Sequence, residues 1–262
     1  MMKLHPLNQN FVWQQPARPF TCISDTQAEA YATQGGFVLP DVFSPMELTT
    51  LLAELDPLEA EKNALLKHVG PNELSIAKHD EIVFRAHTVL HSPQAKGLAS
   101  HPTMQALVKD LIGPKVRLYW DQIVYKRPGT PTEFPWHQDN GYTFVQPQQY
   151  LTCWIALNDA VEENGCPWIA PGLHKLGTLN HWWADLGFQC LKETPEDAVA
   201  MPLKAGSIAV FSSLTPHRTG PNLTAHTRKA YILQYAPDGA VMHHRTGEAE
   251  LAADPGRQFI IT

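Results

Sequence analysis

The chain has 262 residues, 44% of them hydrophobic and 18% charged, with seven Trp. This is enough apolar material for a sizeable core and too much for a disordered chain. The formal net charge is −6, no run of four Lys or Arg occurs, and no apolar stretch approaches about 18 residues, so nucleic-acid, anionic-membrane and membrane-spanning roles are not expected.

The N-terminus carries no apolar leader core, and Cys22, Cys153, Cys166 and Cys190 are scattered without a CxxC pair. A cytoplasmic protein with free thiols, built as one domain over 1–262, is the expectation.

Residues 1–24, with Pro6, Pro16 and Pro19, read as an irregular arm. Thr26 to Thr33 predicts a helix stopped by Gly35-Gly36, and Phe37-Val38-Leu39 a short strand. Ser44-Pro45-Met46-Glu47 is a capping box with Pro at the first helical position. It opens a helix carrying Leu48, Leu51, Leu52 and Leu55 that Asp56-Pro57 should kink or end. The stretch 68–101 is weakly patterned and is expected to be loop, with one strand near Ile82 to Phe84; such a stretch is a candidate lid. Met104, Leu107, Val108, Leu111 and Ile112 recur at helical spacing before Gly113-Pro114.

Beyond that point the period changes from helix to strand. Val116 to Lys126 alternates, placing Val116, Leu118, Trp120, Gln122 and Val124 on one face, and Tyr150 to Leu157, Val199 to Met201, Ser207 to Phe211 and Arg228 to Tyr235 predict further strands. Residues 160–198 read as an insertion whose Trp168, Trp182 and Trp183 either pack it onto the strands, the favoured reading, or line a pocket. Helices first and many short strands after them predict a mainly β fold, a sandwich or jelly roll buttressed by N-terminal helices.

The chemistry gathers around Trp136 to Tyr142. If this stretch is extended, His137 and Asp139 project to one face and offer an imidazole and a carboxylate to a common point. His217, at the end of the strand that begins near Gly206, is the best third ligand. Two His and one carboxylate leave open metal positions, the set suited to non-haem Fe(II) oxygenases, whereas a thiolate-rich set would favour zinc. Arg228, eleven residues beyond His217 on the next strand, would grip a carboxylate bidentately, as a dicarboxylate co-substrate chelating the metal at its other end requires. His174, in a turn after Pro171-Gly172, reads as making a structural hydrogen bond, His181, His226, His243 and His244 as surface or loop residues, and His79-Asp80-Glu81 as a fragment without a partner.

The runs His137-Gln-Asp-Asn-Gly-Tyr142, Trp154 to Cys166, Ala170-Pro-Gly-Leu-His174 and Pro216-His-Arg-Thr-Gly-Pro-Asn222, with Arg228 beyond, resemble the phytanoyl-CoA dioxygenase family of Fe(II)/2-oxoglutarate oxygenases over roughly residues 30 to 240. The resemblance implies a cupin-like double-stranded β-helix with iron at its mouth, held by His137, Asp139 and His217. It implies that Arg228, with Thr219, binds the distal carboxylate of 2-oxoglutarate, with Trp154 nearby and Gln122, Tyr125 and Phe134 as looser matches. The carboxylate of Asp139 points to hydroxylation rather than the halogenation of relatives that have a small residue there.

Asn140, Tyr142 and Trp168 flank the triad and are candidates for touching the substrate. The expected reaction consumes O2 and 2-oxoglutarate, releases succinate and CO2, and hydroxylates a small or medium-sized metabolite; a monomer or homodimer would serve. The alternatives are a cupin-like protein that binds metal and metabolite without turnover, and a zinc hydrolase on the same ligands, for which Arg228 would have no use.

Overall fold

The structure, a computed structural model, describes residues 2–68 and 76–262. Residues 69–75, part of the stretch expected to be a lid, lie outside the described residues. The helices are α1 (Asp25–Gln34), α2 (Pro45–Leu66), α3 (Pro93–Ala99) and α4 (Pro102–Leu111). In chain order the first strands are β1 (Gly36–Leu39), β2 (Ile82–Ala86), β3 (Val116–Lys126), β4 (Phe134–His137), β5 (Phe144–Gln146), β6 (Leu151–Ala156) and β7 (Pro167–Ile169). They are followed by β8 (Trp182–Trp183), β9 (Phe188–Gln189), β10 (Val199–Ala200), β11 (Ile208–Ser212), β12 (His217–Thr219), β13 (Arg228–Pro237), β14 (Val241–His243) and β15 (Ala249–Leu251).

Six strands make a major antiparallel sheet in the order β1-β11-β6-β13-β3-β2, and four make a minor sheet in the order β10-β7-β12-β4. Period-2 alternation sorts the major sheet's residues between two cores. Leu151, Cys153, Ile155, Val210, Tyr231 and Leu233 point outward and pack with Leu48, Leu51, Leu55, Met104 and Leu107 of the helices. Trp154, Ala209, Phe211, Ala230 and Ile232 point inward and meet Phe134 and Ile169 of the minor sheet. Each fully buried Leu of the outer core stabilises the fold by roughly 1.5–3 kcal/mol. The result is the jelly roll with helices on one side that the residue pattern implied.

Several local expectations are corrected. Pro57 neither ends nor breaks α2, which runs on to Leu66; Leu48, Leu51 and Leu55 are buried before the proline and Glu59 and Leu66 after it, so both halves are docked. Most of the expected lid is framework: β2 completes the edge of the major sheet, and α3 buries Ala95 and Leu98 against the helical core. β3 does not keep one face from Val116 to Val124. The pairing with β13 slips between Gln234 and Tyr235, so that Trp120 faces Gln234 and Leu118 faces Tyr235. This bulge at Tyr119 sends Val116 and Leu118 outward and Trp120, Gln122 and Val124 inward. The expected insertion begins later than 160, because β7 is a strand of the minor sheet. The arm is irregular but anchored: Asn8 donates to the carbonyls of Leu176 and Thr178, and Asp110 accepts from the backbone N–H groups of Thr21, Cys22 and Ile23. Among the described residues no helix is long and apolar enough to cross a membrane, and the four cysteines are unpaired.

The bulge also turns Asp121 into the seam between sheet and helices. Its Oδ2 accepts from the Val89 N–H at 3.1 Å and the Tyr231 hydroxyl at 3.0 Å, while Oδ1 has no partner among the described residues. Burial outweighs these hydrogen bonds and raises its pKa from 3.8 to about 6. The folded state therefore holds this proton more tightly than the unfolded chain. Its contribution to stability is complete below about pH 3.8 and is lost as the pH rises through about 6. Asp121→Asn keeps an acceptor for both donors and removes the buried charge. Thermal unfolding at about pH 5 and about pH 8 should show a smaller fall in Tm for the variant than for the parent; equal falls would mean that this carboxylate ionises without cost.

Candidate active site

Two strands of the minor sheet bring the histidines together. β12 pairs with β4 so that His217 lies directly opposite His137, with ring centroids 4.1 Å apart. Each ring is locked by its own backbone: the Nδ1 of His137 lies 2.8 Å from the Pro135 carbonyl and that of His217 3.0 Å from the Thr215 carbonyl. Donating Nδ1–H to a carbonyl leaves the Nε2 lone pair free. Both Nε2 atoms lie 3.8 Å from the Asp139 Oδ1.

Asp139 reaches that point by a different route from the extended one expected. β4 ends at His137, and Asp139 opens a short 3-10 turn that continues through Gly141. Its Oδ2 accepts from the Thr152 hydroxyl of β6, and the Gln234 side chain of β13 lies in the same cavity and favours the ionised carboxylate. The three ligand atoms all lie within 4.8 Å of one another. Burial, and after it the neighbouring His217, lower the His137 pKa to about 3, and burial lowers that of His217 to about 4; burial raises that of Asp139. Neutral imidazoles beside a carboxylate form the donor set of a non-haem Fe(II) site.

The residues between and after the ligands hold the turn. Gln138 is fully buried, its backbone N–H donates to His181 Nε2 at 2.9 Å, and its carboxamide bridges the Gly177 and Leu214 carbonyls and the Leu179 N–H. His181 is thus a buried acceptor rather than a surface residue. Gly141 is required by the same contact, because a Cβ there would sit 2.1 Å from the His181 ring. His174 is likewise buried, with Nε2 3.3 Å from the Ala32 carbonyl.

The triad lies in a cavity of about 350 Å³ between the sheets, walled by Tyr119, Trp120, Tyr150, Phe211 and Ile232 among others. Gln122, Phe134, Tyr142, Trp154 and Thr219 line it as well. Arg228 stands on the inward face of β13, in step with Ile232 and Gln234, and is fully buried. Its guanidinium carbon is 5.1 Å from the Trp154 ring centroid. Nη1 has only a 3.5 Å contact with the Val124 carbonyl, and Nε and Nη2 have no partner among the described residues. Lys126, its cross-strand neighbour, is already spent on the Thr132 and Gly220 carbonyls at 3.0 and 2.5 Å. A buried guanidinium with unspent donors calls for an anion, and a carboxylate fits its fork.

Three expected contacts are corrected. Tyr125 points outward, where its hydroxyl donates to Asp56 Oδ1 at 2.7 Å, because the bulge sets odd-numbered residues of this half of β3 toward the helices. Asn140 is used up inside the turn, donating to Thr178 Oγ1 at 2.6 Å and accepting from the Val145 N–H at 2.8 Å. Trp168 lies outside the cavity lining, 5.3 Å from the Arg218 guanidinium carbon. Tyr125→Phe should therefore cost about 1 kcal/mol of stability, and leave 2-oxoglutarate affinity unchanged in calorimetry; a weakened affinity would return Tyr125 to the site.

Thr152, which holds the Asp139 carboxylate, and Gln234, which lines the cavity, are not among the residues the sequence singled out. Their signal was present: each is a polar residue at an inward position of an otherwise apolar strand, two residues from Trp154 and Ile232. Trp183 and Phe188 of the β8–β9 hairpin also line the cavity, so for Trp183 pocket lining, the second of the two roles open to the insertion's tryptophans, is the one observed.

The profile described as phytanoyl-CoA dioxygenase matches residues 31–230. A phytanoyl-CoA dioxygenase of Arabidopsis thaliana is 35% identical over 115 residues, 42% of this chain and 41% of that protein. The chain thus spans well under half of that relative. A methylphosphonate hydroxylase of Gimesia maris is 26% identical over 223 residues, 82% of this chain and 81% of that protein. Among solved structures, the non-heme alpha ketoglutarate dependent epimerase SnoN from nogalamycin biosynthesis superposes with a TM-score of 0.63 at 26% identity, covering 83% of this chain and 82% of the other.

Proposed function

Because the chain belongs to the phytanoyl-CoA dioxygenase family of Fe(II)/2-oxoglutarate oxygenases, we propose that it hydroxylates an unactivated C–H bond of a small or medium-sized metabolite, converting 2-oxoglutarate and O2 to succinate and CO2. The observation that carries this reading is a His137–Asp139–His217 cluster in an aromatic cavity, with the unspent buried guanidinium of Arg228 behind Trp154 of the cavity wall.

In this reading His137 and His217 bind iron through Nε2 and Asp139 through Oδ1. Thr152 keeps the carboxylate from rotating. Arg228 takes the distal carboxylate of 2-oxoglutarate, Thr219 adds a hydroxyl, and Trp154 packs along the co-substrate. Iron with 2-oxoglutarate supplies the activation of O2 and the oxidising power. The chain's own part is to position the reacting carbon and keep water out, which Trp120, Tyr142, Tyr150 and Phe211 do by walling the site with rings. Retention of a carboxylate at Asp139 supports hydroxylation. The acyl-CoA of the family name receives no support from the charge pattern, since no Lys or Arg lines the cavity among the described residues.

The test is a metabolite panel with Fe(II), 2-oxoglutarate and O2. Succinate formed in step with O2 uptake and a product heavier by one oxygen atom is the expected result. Binding of both partners with no succinate above background across the panel would instead make the protein a non-catalytic binder.

A further inference from the structure

We propose that Arg245 selects substrates that end in a carboxylate, held at the mouth of the cavity while the apolar body runs inward to the triad; this rests on the oxygenase reading above. Tyr142 and Thr143 line both the cavity and an adjoining open hollow, which His244, Arg245 and Thr246 also line. The way out from the triad is a file of rings. His137 and Tyr142 have centroids 5.5 Å apart, Tyr142 and Phe188 5.3 Å, and the Arg245 guanidinium carbon sits 3.9 Å from the Phe188 centroid.

Two contacts fix the Arg245 head group. The Phe188 ring supports its face, and Nη2 donates to the Gly141 carbonyl at 3.0 Å. Gly141 takes one of five N–H donors, Arg245 is exposed, and no carboxylate pairs with it among the described residues. The acids of the hollow are Glu248 and Glu250; Glu250 lies 3.0 Å from His244 Nε2, and Glu248 pairs with no cation among the described residues.

The placement of charge carries the inference. The cavity wall is aromatic, its ionisable side chains near the triad are committed to it, and Arg228 lies fully buried against Trp154. Arg245 is the one Lys or Arg among the described residues lining the cavity and the hollow, so an anionic end lodged in the hollow meets it. The guanidinium presents a planar edge that matches a carboxylate, and the two glutamates of the hollow disfavour a dianion, so a carboxylate is preferred over a phosphate monoester.

The probes are straight-chain alkanoates from hexanoate to dodecanoate, the matching amides and the matching alkyl phosphates. Each is titrated calorimetrically into protein loaded anaerobically with Fe(II) and saturating 2-oxoglutarate. Alkanoates are expected to bind roughly three- to tenfold tighter than their amides, with the gap shrinking as salt is raised. Arg245→Gln, which can still donate to Gly141, should lose the gap, and Arg245→Glu should reverse it, both with unchanged Fe(II) and 2-oxoglutarate affinity. The proposal is overturned by no carboxylate preference in the parent, phosphates favoured over carboxylates, a preference that survives in Arg245→Glu, or no binding by any series. An Arg245→Gln variant that weakened amides and alkanoates alike would make the residue a latch for Gly141 and overturn it too. Failure of Fe(II) and 2-oxoglutarate to bind at all is a separate result, and it bears on the oxygenase reading itself.

Discussion

His137→Ala is expected to weaken Fe(II) binding by at least about 100-fold and to abolish succinate formation. Groups that merely orient a metal ligand are worth about 10- to 100-fold in affinity, and the ligand itself is worth more. His137 is one of only two imidazoles in the cluster, and its Nδ1 contact with the Pro135 carbonyl fixes the tautomer that binds. The variant should stay folded, because Gln138 and Asn140 hold the turn through their own hydrogen bonds. Anaerobic Fe(II) titration beside circular dichroism checks both halves; full iron affinity in a folded His137→Ala protein would remove the residue from the site.

Arg228→Met carries the second large effect, and it has two opposite signs. Truncating one partner of a buried, hydrogen-bonded charge pair typically costs 3–5 kcal/mol, so 2-oxoglutarate affinity should fall by a factor on the order of a hundred or more. Without the co-substrate, Arg228 is a fully buried cation whose Nε and Nη2 lack partners among the described residues. Methionine relieves that cost while filling much of the same space. The apo variant should therefore melt at or above the parent's Tm, and 2-oxoglutarate with Fe(II) should raise the Tm of the parent alone. Arg228→Lys should recover little affinity, since a point charge lacks the fork that grips a carboxylate. A variant that lost apo stability and kept its co-substrate would assign Arg228 to packing.

How far the residues spoke for themselves depended on whether local chemistry or tertiary pairing decided each feature. The Gly35-Gly36 stop, the capping box at Ser44 and the apolar runs of β6, β11 and β13 are local, and the helices and inner strands were legible from them. The grouping of His137, Asp139, His217 and Arg228 was legible because residue chemistry, order and spacing agreed with a family pattern. The bulge at Tyr119 was not, since it is a slip in pairing with a strand more than 100 residues away. That one slip misplaced Val116 and Leu118, while Tyr125 rested on a looser family match that simple alternation with Gln122 already opposed. The survival of α2 through Pro57 is similar: a proline's local cost was read correctly and then overridden by docking on both sides. Asn140 and Trp168 were picked for their nearness to the triad in sequence, which says nothing of which way a turn or strand points them. Thr152 and Gln234 were legible in principle, as polar residues on inward strand positions.

The central claim is that His137, Asp139, His217 and Arg228 form one Fe(II)/2-oxoglutarate site. Stepwise anaerobic calorimetry tests it most directly, with Fe(II) added first and 2-oxoglutarate second. The account predicts one Fe(II) per chain, then one 2-oxoglutarate per chain whose binding depends on the iron and is lost in Arg228→Met. Binding of 2-oxoglutarate with the same affinity in the absence of iron, or no saturable Fe(II) binding by the folded parent, would contradict it.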